Sequence, residues 1–89
     1  MKELEIKQFL GMNIETVVMG SRIIIIGVLK EVENGFAKFS SIEDIFVLLH
    51  GKRLSIKLML FGSFTDLEAL LNKLSFSCSI FDKCRVLKM

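Results

Sequence analysis

Asn34-Gly35 divides the stretch that most constrains this chain, residues 22–39, which reads R-I-I-I-I-G-V-L-K-E-V-E-N-G-F-A-K-F. Asn-Gly is the dipeptide that most readily takes the two positive φ angles of a tight hairpin turn. The four isoleucines before it, residues 23–26, are β-branched, stiff at χ1 and costly to leave in water. They predict a strand covered on both faces. Beyond them the pattern alternates, with Val28, Lys30 and Val32 on one side and Leu29, Glu31 and Glu33 on the other. Residues 36–39 return as the partner strand. Gly27, inside the first strand, predicts a bulge, a sharp bend or close backbone approach, with a barrel-like corner as the favoured reading and a ligand contact as the alternative.

The flanking sequence extends this reading. Residues 2–9 alternate, Leu4 and Ile6 against Glu3, Glu5 and Lys7, and predict a short edge strand. Gly11-Met12-Asn13 is a break, and residues 14–19 form a second extended run closed by Gly20-Ser21. Residues 40–44 (S-S-I-E-D) read as a polar connection in which Glu43 and Asp44 are solvated. A second hairpin follows: I-F-V-L-L-H, a turn at Gly51-Lys52, then R-L-S-I-K-L-M-L-F, with Leu54, Ile56, Leu58 and Leu60 on one face. The other face, Ser55, Lys57, Met59 and Phe61, is only partly polar and suits a sheet covered on both sides or buried at an interface. After a break at residues 62–64 the period changes to that of a helix. Thr65-x-x-Glu68 has the form of a capping box, and Leu67, Leu70, Leu71 and Leu74 recur at helical spacing, predicting one short helix over 65–74. Phe76, Cys78 and Ile80 then alternate with Ser75, Ser77 and Ser79 as a strand. Asp82-Lys83 turns, and residues 84–89 add a last short strand or fray. The expected architecture is a single β-rich domain spanning 1–89. It is mainly β (small α+β), an antiparallel, hairpin-built sheet or partly closed barrel of about six or seven strands with that one helix.

Hydrophobic residues make up 52% of the 89, a high share for so small a domain, whose surface is large relative to its volume. Self-association or a protein partner, itself membrane-associated or not, is the expected way of covering the excess. No run reaches the ~18–20 uninterrupted apolar residues of a spanning helix, so no transmembrane segment is expected. The opening M-K-E-L-E-I-K carries acids where a signal peptide is basic and then apolar, and predicts a cytoplasmic chain.

Twelve Lys and Arg stand against ten Asp and Glu, a balance that does not demand nucleic acid. Residues arranged for catalysis are not found. His50, the one histidine, sits at a hairpin tip with no nucleophile or acid partner at a useful spacing. Gly20, Gly27 and Gly35 do not form a phosphate-cradling loop, so no cofactor is expected. Cys78 and Cys84 with one His make a poor zinc set; reduced thiols are the favoured reading, with a disulfide as the alternative. The one candidate contact for an anion or an acidic partner is the basic group Arg22, His50, Lys52, Arg53 and Lys57, whose plainer reading is a solvated hairpin tip.

Two family resemblances carry the reading further. The strand R-I-I-I-I-G, followed by V-E-N-G and F-S, resembles the YqfC branch of the YabP/YqfC family of endospore-formation proteins, and L-L-H-G-K-R-L-S-I-K (residues 48–57) is similar to that family's next apolar strand, glycine turn and strand. The likeness covers about residues 15–57. Ser21 stands where the family has Pro and Cys78 where it has Gly, and the helix at 65–74 departs from its strands. The resemblance implies a non-enzymatic assembly or partner-binding protein acting in sporulation, inside the mother cell, and carries over no catalytic residue. G-V-L-K-E-V-E (residues 27–33) and L-H-G-K-R-L (residues 49–54) instead resemble the second strand and the glycine segment of Sm-like proteins. That alternative implies a small bent barrel whose homo-oligomeric ring binds RNA.

Overall fold

Asn34 and Gly35 take φ angles of 54° and 80°, and the chain reverses between its two longest strands, β2 (Ile23–Glu33) and β3 (Phe36–Leu49). The computed structural model describes residues 1–87, so Lys88 and Met89, the end of the expected last strand, lie outside the described residues. The other elements are α1 (Glu3–Lys7), β1 (Asn13–Val18), β4 (Lys52–Ser55), α2 (Ile56–Leu60), a 3₁₀ turn (Phe61–Ser63), α3 (Phe64–Leu71), β5 (Phe76–Ser77), a second 3₁₀ turn (Cys78–Ile80) and β6 (Phe81–Val86). Six antiparallel strands form one sheet in the order β4-β3-β2-β1-β6, with β5 on the free edge of β3, and the sheet does not close. The mainly-β expectation therefore holds. Among the described residues no helix is long and apolar enough to cross a membrane.

The β2–β3 ladder is irregular, and its irregularities shape the sheet. Ile26 pairs with Asp44 but Gly27 with Ile42, leaving Glu43 extra; Val28 pairs with Ser41 but Leu29 with Phe39, leaving Ser40 extra. Lys30 is extra on the opposite strand, between Leu29–Phe39 and Glu31–Lys38. Bulges of this kind bend a strand and increase its twist. At the bend the backbones nearly touch: a Cβ on Gly27 would lie 2.4 Å from the Ser41 carbonyl oxygen and 3.2 Å from both the Ile42 Cα and the Phe39 ring. Close backbone approach is the use of Gly27.

The Lys30 bulge also corrects the expected faces. Leu29 and Val32 are both buried while Lys30 and Glu31 are exposed, because the extra residue shifts the two-residue period by one. Residues 40–44 are not a connection but part of β3, and Ile42 is fully buried within it. The isoleucines behave as read, Ile24 and Ile25 buried and Ile23 and Ile26 half-buried. The concave side of the sheet holds the core, where the Phe39 ring meets Phe76 edge-on at 5.9 Å and Phe81 at 6.3 Å.

Residues 2–9 are not an edge strand. Glu3–Lys7 form one short helix, with the Lys2 amide donating to the Glu5 carboxylate at 2.9 Å and Lys7 paired with Glu3 at 3.5 Å. Leu4 and Ile6 do not share a face: Ile6 is fully buried while Leu4 projects into solvent. Two alternating apolar residues were too few to separate the two periods. The Glu3 carboxylate accepts from the Gly35 amide and so ties α1 to the central turn.

At the other end of the chain Asp82-Lys83 are not a turn. Asp82 is a bulge within β6, and its carboxylate accepts from the Gly20 and Ser21 amides at 2.9 and 3.0 Å, fixing the β1–β2 turn. Cys78 does face inward as expected, but from a 3₁₀ turn, since the strand stops at Ser77. Both cysteines are free thiols. Cys84 donates to the Thr16 hydroxyl at 3.2 Å, and that hydroxyl donates to the Lys83 carbonyl at 2.9 Å.

Two measurements follow from this packing. Gly27→Ala forces the Ser41 backbone aside and is expected to lower stability by about 1–3 kcal/mol, read by urea unfolding; an unchanged midpoint would deny the close approach. Burial pushes both thiols above their ordinary range, helped at Cys78 by the nearby Glu3 charge. A raised thiol value means that the fold holds the neutral form, so these groups stabilise it below the ordinary value and lose that contribution as pH rises past about 8.5. Thiol alkylation of the folded chain is accordingly expected to be slow at neutral pH and to reach a free-cysteine rate only on unfolding.

Candidate interaction surface

Asp44 is the residue around which the far edge of the sheet is built. One carboxylate oxygen accepts from the Ile45 amide at 2.7 Å and the Lys57 amide at 3.1 Å, and the other from the Ser55 hydroxyl at 2.6 Å. The Ser55 hydroxyl in turn accepts from the Leu58 amide at 3.1 Å. Ser55 is thus an N-cap, with Asp44 neutralising two further donors at the positive end of α2. Asp44 is not the solvated loop acid expected from its neighbours in sequence.

These caps correct the second hairpin. The turn falls at His50-Gly51, with φ angles of 51° and 77°, but the returning strand ends at Ser55. Residues 56–61 turn helical instead, so Leu54, Ile56, Leu58 and Leu60 form no common strand face. Only Ile56 tucks against the core; Leu58 is 74% exposed, Met59 61% and Phe61 82%. Phe61 also has φ 51° and ψ −128°, a conformation suited to glycine. Holding a bulky residue there costs on the order of 1–3 kcal/mol. The exposed ring recovers none of it.

Helical structure continues through Ser63 into α3, so residues 62–64 join helices and do not break the chain. The helix lies at Phe64–Leu71, close to the expected span, with Phe64 buried and Leu67 and Leu71 half-buried; Leu70 and Leu74 face outward. The expected capping box is not made. The Glu68 carboxylate accepts instead from the Ile42 amide at 2.9 Å, across to β3. The reason lies in the sheet: beyond β5 at Phe36–Ala37 and before β4 at Phe46–Leu49, that edge of β3 has no strand partner, and Glu68 and Asp44 serve the gap.

The five basic residues singled out from sequence separate into two places. Arg22 lies beside the β3–β4 hairpin, its carbonyl accepting from the Leu48 amide at 2.9 Å, and Leu48 pairs with Arg53. Arg22, His50, Lys52 and Arg53 therefore belong to one end of the sheet. Arg53 leaves the group through its side chain: its guanidinium lies 4.7 Å from the Phe46 ring centroid and reaches Glu15 on β1 at 3.5 Å. Arg85 approaches the same carboxylate at 2.7 Å, so Glu15 holds two arginines across the convex face. Lys57 sits apart at the start of α2, beside a shallow 260 Å³ depression shared with Glu43 and Glu68. Arg22, Lys52 and Lys57 make no ion pair among the described residues.

The surface these residues form is a shoulder over residues 49–61, basic at the hairpin end and apolar along α2. No group of three or more His, Cys, Asp or Glu suited to a metal occurs among the described residues. Compared with known protein families, with curated proteins and with solved structures, the chain matches none. Asp44→Ala leaves two amides and a hydroxyl without their acceptor and is expected to cost about 1–3 kcal/mol. Urea unfolding measures the loss, and an unaltered stability would show that α2 starts without it.

Proposed function

We propose that the chain is a non-enzymatic assembly and partner-binding protein whose docking surface is the shoulder over residues 49–61. The observation that carries this is the run from Leu58 to Phe61, four consecutive apolar residues, each at least 39% exposed, at the end of a five-residue helix that buries none of its own residues and is capped by Phe61. Full burial of a Leu, Met or Phe side chain is worth about 1.5–3 kcal/mol each, so a partner that covers them gains a large share of a typical binding energy. The setting we infer is endospore formation, supported by the resemblance of residues 15–57 to the YqfC branch. The mother-cell compartment comes with that inference.

A ring that binds RNA is the second reading, and one observation favours it. Sm-like chains open on a helix, and α1 precedes β1 here. Against strand-edge assembly, both edge strands carry cations, Lys52 and Arg53 on β4 and Lys83 and Arg85 on β6, a charge pattern that discourages edge pairing between copies.

Sedimentation across a range of concentrations, with an RNA titration at two salt levels, separates these readings. The first expects association that grows with concentration, is abolished by Leu58→Ser with Phe61→Ser, and is indifferent to RNA. A ring-sized mass at all concentrations, with RNA affinity falling steeply with salt, would overturn it.

A further inference from the structure

We propose that the shoulder docks on an anionic lipid surface, inserting Leu58, Met59 and Phe61 while Arg22 and Lys52 meet the headgroups. The inference rests on the docking reading above and names its partner. Three observations support it.

The first is charge. From Ile45 to Thr65 the chain has no Asp or Glu, yet it contains His50, Lys52, Arg53 and Lys57. The acids lie in α1, around the β2–β3 turn, on α3 and within the strands. Glu15 is taken up by Arg53 and Arg85, and Asp44 by backbone amides and Ser55. Glu43 and Glu68 share the depression beside Lys57, so the cations of this group that stand clear of acids among the described residues are those at the hairpin end, Arg22 and Lys52. A basic margin beside exposed apolar side chains is the composition that binds anionic interfaces, combining apolar insertion with attraction to headgroup charge.

The second is shape. Every residue from 57 to 63 is exposed, and the apolar side chains project from a short helix. A protein partner needs a complementary pocket for such projections, and a helix this short offers too few anchors to fit a groove. A lipid interface accepts projecting apolar groups without any matching contour.

The third is the backbone at Phe61. Its left-handed φ turns the chain at the end of α2 and leaves the ring 82% exposed. Neither the strain nor the exposure is repaid within the chain. Insertion into the acyl boundary offsets both.

Vesicle flotation tests this with the full chain, using vesicles of phosphatidylcholine alone and with phosphatidylglycerol at about one third of the lipid. The chain has no Trp or Tyr, so Phe61→Trp provides a single fluorescent reporter. The proposal expects flotation with the anionic vesicles, at least tenfold weaker with phosphatidylcholine alone, and a blue shift of the reporter's indole emission on binding. Phe61→Ser and Arg22→Glu with Lys52→Glu should each weaken flotation about tenfold. All of these positions are exposed, so circular dichroism and thermal unfolding should stay unchanged. If the chain does not float while a concentration-dependent mass increase is lost in Phe61→Ser, the lipid partner is overturned and the docking surface stands. If neither flotation nor association responds to Phe61→Ser, both readings fall.

Discussion

The contact on which the molecule depends is the near-touching of two backbones at Gly27 and Ser41. A twisted pair of strands as long as β2 and β3 has too much apolar surface to remain a flat ribbon in a chain of 89 residues. Three bulges fold it over, and Gly27 admits the closeness that the fold demands. Bending brings Leu29, Phe39 and Ile42 to one concave side, where β1 and β6 on one flank and the helices on the other can cover them. Without the bend, the same residues would point along a ribbon with no common interior.

The remainder of the structure compensates for interruptions in this ladder. The open edge of β3, two turns and the start of α2 leave backbone donors without strand partners, and carboxylates satisfy them. Glu68 reaches the Ile42 amide from α3, Asp44 gathers the start of α2, Asp82 holds the β1–β2 turn and Glu3 the β2–β3 turn. An unsatisfied buried donor costs roughly 1–3 kcal/mol, a cost that bears on the part-buried Ile42 amide, while the amides at the turns are exposed and lose less.

Much of this was legible in the sequence, but unevenly. Asn34-Gly35, the isoleucine run and the bend glycine carry local signals strong enough to survive tertiary context, and they placed the central hairpin correctly. The helix near 65–74 was readable for the same reason, since leucines at helical spacing suit no strand. What could not be read were elements decided by distant partners. Residues 53–61 alternate like a strand, yet Ser55 and Asp44 turn them into a helix, and Asp44 is eleven residues from the hydroxyl it accepts from. Thr65-x-x-Glu68 fits a capping box, but the unpaired amide on β3 takes the carboxylate. The basic group was recognisable as a cluster, but Arg22, His50 and Lys52 alone stay at one end of the sheet, Lys57 sitting apart and Arg53 turning its side chain to Glu15. The engagement of Arg53 with Glu15 needed the curvature that brings β4 over β1. The apolar residues on both faces of 54–61 suggested a sheet covered on both sides or buried at an interface, but the alternation made the run at 58–61 look like a strand and not a projecting helix.

Amide hydrogen exchange on the free chain is the most direct measurement of the central claim, that a bent hairpin supports the fold and the shoulder projects from it. Amides bonded within the ladder of β1, β2 and β3 should exchange only through global unfolding, in β2 from Ile24 to Leu29 and in β3 apart from those of Ile42 and Ile45, which donate to carboxylates. Those of residues 58–63 should exchange many-fold faster. Equal protection of the two regions, or rapid exchange along β2, would contradict it.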